Sequence, residues 1–206
     1  MWTKLRADVT LYRGMQMSRY GAWRGALHCL VSRGLLMLLV VRLGQRMLEL
    51  RQTRRSPVRL FLVRVLAAAG RMLIVPLAKA DLSSQTRVEG GVYLSDRGNL
   101  VIGARSIGRG TVIHHCVTIG MDLNKSATPT IGSEVWIGPD CVIYGDIHVG
   151  DGATLLAGSV VTKPVPSRSV VGGNPARVLR RDFDNQALRQ TTLCGAEIQS
   201  FAQSPA

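Results

Sequence analysis

The chain has 206 residues, with 26 Lys and Arg against 13 Asp and Glu and a formal charge of +13. That length allows one domain plus a sizeable extension. Its four cysteines (Cys29, Cys116, Cys141, Cys194) lie far apart with no CxxC spacing, which speaks against a disulfide framework or a zinc site and makes a reducing, cytoplasmic setting the default.

Residues 1–80 hold 15 of the basic residues and only Asp8 and Glu49 as acids, whereas residues 81–206 are balanced, so the whole excess sits in an N-terminal extension. Within it, Ala26–Leu50 and Arg59–Ala80 mix Leu, Val, Met and Ala with recurring arginines, a helical pattern. The first apolar run comes late and no small-residue cleavage site follows, so no signal peptide is expected. Gly34–Val41 falls short of the ~20 apolar residues that a bilayer span needs. Arg33, Arg42, Arg64 and Arg71 interrupt both patterns. Two readings stay open for 1–80: a helical cap or oligomer contact, or a pair of basic amphipathic helices on the anionic inner face of a membrane. The charge would also suit nucleic acid, but there is no recognition motif and no aromatic interleaving, so no nucleic-acid partner is expected.

Residues 81–179 carry a period of six. A branched or long aliphatic residue recurs at Ile107, Ile113, Ile119, Ile131, Ile137, Ile143, Val149, Leu155 and Val161, and only Lys125 breaks the series. Four positions after each, Ile119 excepted, stands a small or branched residue: Thr111, Val117, Val135, Cys141, Ile147, Ala153, Ser159 and Val165. Glycine often follows directly, as at Gly108, Gly120, Gly132, Gly138 and Gly150. A period of six suits neither an α-helix nor a hairpin ladder, but it is the signature of a parallel β-helix, in which three repeats close one triangular coil. Both series should face the prism interior. A β-sandwich would not hold so fixed a register. The fold expected is therefore an all-β core of hexapeptide repeats with an N-terminal α-helical extension. Residues 180–206 are polar and weakly periodic, a short helix or arm with a loose tail.

One segment departs from the bland repeat: Ile113-His114-His115-Cys116-Val117-Thr118-Ile119-Gly120. Strand alternation points Ile113 inward and His114 outward, and puts His115 at the start of a corner. A corner histidine titrates near neutral pH and can reach a hydroxyl held beside it. The pair also adjoins the only insertion in the repeat, Met121–Thr130, and long loops on rigid scaffolds often carry function.

The repeat, this loop, the segment Gly158–Pro166 (GSVVTKPVP) and the ending Val171–Leu179 (VGGNPARVL) resemble the hexapeptide-repeat, left-handed β-helix acyltransferases. The likeness is to their serine-acetyltransferase-like branch, which includes sugar and polysaccharide O-acetyltransferases, and it covers roughly residues 85–180. It alone implies the left hand, since crossovers between parallel strands are otherwise almost always right-handed. It implies an acetyl-CoA-dependent O-acetyltransferase, homotrimeric, with a histidine base and no metal. With only His28, His114, His115 and His148 available, three converging zinc ligands are not expected.

Sugar-acetylating members place the base two positions after a repeat aliphatic, in a segment like I-x-H-x-C-x-I-G, which maps to His115, with His114 as the fallback. Serine acetyltransferases proper carry a segment like L-D-H-A-T-G. The matching stretch here, Leu94-Ser95-Asp96-Arg97-Gly98-Asn99, has Asp96 where that histidine would stand. Their second histidine is replaced by Thr128 before Pro129. Both departures point away from L-serine and towards a saccharide hydroxyl, in cell-surface polysaccharide synthesis, leaving serine O-acetylation or a non-catalytic scaffold as alternatives. Asp96, Asp122 and Glu134 are the carboxylates that could orient the imidazole, and Cys116 as a covalent nucleophile is the weaker chemistry. By the same resemblance the pantetheine arm of acetyl-CoA maps to Trp136, Gly138, Ala157 and Ser159. Its phosphorylated nucleotide maps to Thr162, Lys163, Arg168 and Arg177, where cations suit phosphates.

Overall fold

Each repeat contributes one short strand and one turn, and the strands stack into three parallel sheets around a triangular prism. The computed structural model describes residues 2–20, 24, 29, 32–52, 61, 64–70, 72, 79–120 and 127–194. The first sheet stacks β1 (Ala80–Leu82), β4 (Leu100–Ile102), β7 (Val117–Gly120), β10 (Val142–Tyr144) and β13 (Val160–Val161). The second stacks β2 (Arg87–Val88), β5 (Ser106–Ile107), β8 (Thr130–Ile131) and β11 (His148–Val149). The third stacks β3 (Tyr93–Leu94), β6 (Val112–Ile113), β9 (Trp136–Ile137), β12 (Thr154–Leu155) and β14 (Val170–Gly172). This is a parallel β-solenoid of about five turns, and it fits the left-handed β-helix.

The register confirms the six-residue reading. Ile113 stacks on Ile137 and Ile137 on Leu155; Ile119 stacks on Ile143 and Ile143 on Val161. All nine aliphatic positions of the series are at most 1 % exposed, and the small series from Thr111 to Val165 is buried with them. Each fully buried Ile or Leu contributes about 1.5–3 kcal/mol by leaving water. The glycine after the aliphatic residue has a steric cause. At Gly138 an added Cβ would lie 2.8 Å from Ala157 N, and at Gly150 it would lie 2.4 Å from Ser167 N. Coils one strand spacing apart leave no room there. The insertion falls between β7 and β8, at the corner joining the first sheet to the second. Residues 121–126, and with them Asp122 and Lys125, lie outside the described residues.

The N-terminal extension differs from its expected form. An unforeseen helix, α1 (Trp2–Tyr20), precedes α2 (Arg33–Gln52). A further stretch at 64–70 is helical, and Ala80 already belongs to β1, so the second helical pattern was drawn too long. The apolar stripe of α1, with Leu11, Tyr12 and Met15 on its buried face, is broken by the charged Asp8, and much of its contact with the fold is made through hydrogen bonds.

Those bonds close the open first coil. The Tyr12 hydroxyl donates to Leu94 O and accepts from Leu94 N, both at 2.8 Å, in the place of a neighbouring strand. Arg42 donates to Val88 O and Glu89 O and pairs with Asp8 at 3.0 Å, while Asp8 accepts from Gly91 N. Gln45 donates to Thr86 O. A parallel solenoid ends in unpaired backbone groups, and these side chains satisfy them. The cap reading therefore holds for α1 and α2.

At the other end the chain turns back. β15 (Arg177–Arg180) pairs antiparallel with β14 through the Gly173–Ala176 turn, which contains a cis Asn174–Pro175 bond. Asp184 then accepts from Gln186 N and starts α3 (Gln186–Cys194), the expected short C-terminal helix. Asn185 fastens it, donating to Glu134 O, Gly152 O and Ala153 O. α3 lies along the third sheet and reaches α1.

Candidate active site

His114 and His115 occupy the corner joining the third sheet to the first, directly after β6. Cys116 follows in a left-handed conformation (φ 57°), as do Gly98, Asp140 and Gly158 in the coils above and below. The turn is therefore the same in these four coils, and His115 differs from its neighbours only in chemistry. The His115 carbonyl accepts from Asp140 N, and the Pro139 carbonyl accepts from Gly158 N, which fixes the stack. Above it the Ser95–Asn99 turn packs closely: a Cβ on Gly98 would come within 2.9 Å of His115 Cβ.

The two imidazoles sit in different surroundings. His115 is half-buried at the corner and its ring meets His114 edge-on at 6.4 Å. His114 lies under α3, with its ring 4.9 Å from that of Trp136. Burial, helped by the neighbouring His115, pushes its pKa down to about 4, so it is neutral at physiological pH. The Thr192 hydroxyl donates to Leu188 O and accepts from Trp136 Nε1 at 3.1 Å, with His114 Nε2 3.5 Å away. Strand alternation located both histidines correctly, but the seat of α3 against His114 and the part played by Thr192 were not foreseen. Both lie outside the repeat, and their only trace in the sequence is the four-residue spacing of Leu188 and Thr192.

The candidate carboxylates do not gather at this corner. Asp96 accepts from Ser32 Oγ at 2.9 Å and from Gly34 N at 2.8 Å, capping the start of α2. Glu134 stands at another corner and pairs with Arg189 at 3.1 Å. Among the described residues no carboxylate hydrogen-bonds either imidazole, and no three His, Cys, Asp or Glu side chains converge as a metal site needs. Cys116 is exposed, whereas Cys141 faces inward and burial pushes its thiol up to about 11, which leaves it inert.

Of the residues mapped to the coenzyme, some come together. Thr162, Lys163 and Arg177 line one open groove of ≈ 450 Å³ with Pro164, Pro175 and Ala176, on the last coil and its hairpin. Gly138 and Ala157 stack on each other between that groove and His115. His115, Pro139, Ala157 and Gly173 thus mark successive coils at one corner, about 14 Å from first to last at strand spacing. Three residues fall elsewhere. Arg168 is at the corner joining the second sheet to the third, where it bonds Asp151 O and Phe183 N through its backbone. Ser159 points into the prism and donates to Leu156 O, so its side chain is closed to an outside ligand. Trp136 is 6 % exposed, covered by His114 and α3. The repeat itself places Ser159 inward, and that periodicity outweighs the mapping by resemblance. Thr128 lines a separate groove of ≈ 350 Å³ with Ser83, Gln85, Arg87 and Arg105.

The comparisons with known proteins agree with this architecture. The family described as bacterial transferase hexapeptide (six repeats) matches residues 128–163. Serine acetyltransferase 2 of Arabidopsis thaliana is 38% identical over 120 residues, which is 57% of this chain and 37% of that protein. A chloramphenicol acetyltransferase of Agrobacterium fabrum (strain C58 / ATCC 33970) is 45% identical over 58 residues, 28% of either chain. The chain thus spans about a third of the length of the curated relatives it matches. The structure of serine acetyltransferase in complex with coenzyme A from Brucella abortus strain S19 superposes with a TM-score of 0.69 at 27% identity, over 87% of this chain and 68% of that one. Repeat register, closing hairpin and these likenesses agree: residues 128–163 match the hexapeptide-repeat transferase family, and the chain is similar to serine and chloramphenicol acetyltransferases.

Proposed function

We propose that the chain is an acetyl-CoA-dependent O-acetyltransferase with His115 as its general base. The observation that carries this reading is the column from His115, along Pro139 and Ala157, to the groove of Thr162, Lys163 and Arg177. Its two ends suit the thioester and the phosphates of one extended coenzyme. His115 takes the proton of an acceptor hydroxyl as that oxygen attacks the thioester carbonyl. The carbonyl electrons move to oxygen, where backbone N–H groups stabilise them. They then return as the carbon–sulfur bond breaks, and the imidazolium gives its proton to the thiolate. The coenzyme A of the Brucella structure supports acetyl-CoA as co-substrate. The assembly proposed is a homotrimer, whose flat parallel flanks would bring a neighbour beside each corner.

For the acceptor, the relatives favour L-serine over the saccharide expected from the sequence. The saccharide reading keeps one specific support: Asp96, where the serine-enzyme segment has histidine, is engaged by Ser32 and Gly34. A thiol-release assay with acetyl-CoA against L-serine and a panel of sugars separates them. Turnover with serine alone retires the saccharide, turnover with sugars alone retires serine, and silence with every acceptor retires catalysis in favour of a scaffold. His115→Ala should lower turnover by about 10²–10⁴-fold with little change in acetyl-CoA affinity. If His114→Ala is the dead variant and His115→Ala stays active, the base is misassigned.

A further inference from the structure

The basic extension divides into two parts with different surroundings. Arg42 is buried against Asp8 in the cap. Residues 61–72, helical where described, lie outside that cap on α2. Their inner side is small: Ala67 is buried, and a Cβ on Gly70 would come 3.2 Å from a Val40 methyl. Their outer side is large and bare, with Phe61 66%, Val65 49%, Leu66 56% and Met72 81% exposed. Phe61, Val65 and Met72, four and seven positions apart, share one stripe of the helix, and Leu66 flanks it. Contiguous exposed apolar side chains of this size mark an interaction surface.

Charge selects the partner. Residues 51–79 carry seven Lys and Arg and no Asp or Glu. Joining two copies through this segment would bring together two strongly basic stretches that contain no acid, whereas an anionic surface would neutralise such a stretch. No helix among the described residues is long and apolar enough to cross a membrane, so the arrangement suits a helix that lies in the interface. We propose that residues 61–72 dock peripherally on an anionic lipid bilayer, with Phe61, Val65, Leu66 and Met72 among the acyl chains and the surrounding cations at the headgroups. The proposal is independent of the acetyl-transfer reading.

The test is flotation of the full-length protein with phosphatidylcholine vesicles, alone and mixed with phosphatidylglycerol. The wild type should float only with the mixed vesicles, and less in high salt. The double variant Phe61→Glu, Val65→Glu should bind at least about tenfold more weakly. Because both side chains face solvent, its thermal unfolding midpoint should be unchanged. Two results would overturn the proposal: a wild type that stays unbound by anionic vesicles at low salt, or a double variant that floats as well as the wild type. Light scattering run alongside identifies the rival occupant. An assembly that shrinks in the double variant, without vesicle binding by the wild type, makes this face a contact between copies.

Discussion

The coils and the cap hold together by opposite means. In the coils, identical small contacts repeat: Ile113, Ile137 and Leu155 stack in one file, and every neighbour is another coil. The cap is a set of single, directed contacts, in which Tyr12, Asp8, Arg42 and Gln45 each satisfy particular backbone groups of the first coil. A repeat spreads its stability over many equal terms, whereas a cap concentrates it in a few groups that cannot be exchanged. Sequence periodicity reveals the first kind of region and is silent on the second.

The largest effect should come from the cap. Arg42→Met leaves Asp8 as an uncompensated buried carboxylate and should cost about 3–5 kcal/mol in denaturant unfolding. The paired variant Asp8→Leu, Arg42→Met should recover much of that loss, since apolar replacement of a buried pair is often tolerated. Asp8 also has its carboxyl raised, by burial first and against the pull of Arg42. If the single and paired variants are equally unstable, the ion pair is not what matters and the cap resembles the coils after all.

In the coils, Ile137→Ala opens a cavity in a fully buried file and should cost about 3 kcal/mol. Equal losses at Ile113→Ala and Ile143→Ala would sharpen the picture of equivalent repeats. A loss confined to one coil would break it.

His114 gives the comparison a pH dependence. Its folded pKa of about 4 lies below the ordinary 6.5, so the unfolded chain binds the proton more readily. The stability is fully present above pH 6.5 and is lost as the pH falls from there to about 4. The loss should be on the order of 2–3 kcal/mol, read from denaturation midpoints across that range, and His114→Asn should flatten it.

Tyr12→Phe is the smallest change. It removes one hydroxyl and leaves Leu94 N and O without that bond, for about 1–2 kcal/mol. No change in thermal midpoint would mean that water replaces the hydroxyl at the prism's open end.

These contrasts explain what the sequence could reveal. The inward series, the glycines pressed between coils, the corner insertion and both histidines follow from a period of six. α1 does not, because its short apolar face of Leu11, Tyr12 and Met15 is interrupted by the charged Asp8 and lies outside the repeat. The role of Asp96 was hidden for a related reason: its partners Ser32 and Gly34 are more than sixty positions away. Ser159 was legible as an inward residue, and only the mapping by resemblance moved it to the surface.

The contact between α3 and α1 changes what kind of object the solenoid is. A stack of coils is open-ended and can fray from its last member, one unit at a time. Here α3 leaves the fifth coil, is pinned by Asn185 and Arg189 to middle coils, and touches the helix that covers the first. The two ends are mechanically joined, like a spring held in a clasp, so no terminal coil can peel away without releasing the clasp. The whole prism then melts as one unit, and a chain cut after Arg181 would unravel from its C-terminal end in steps.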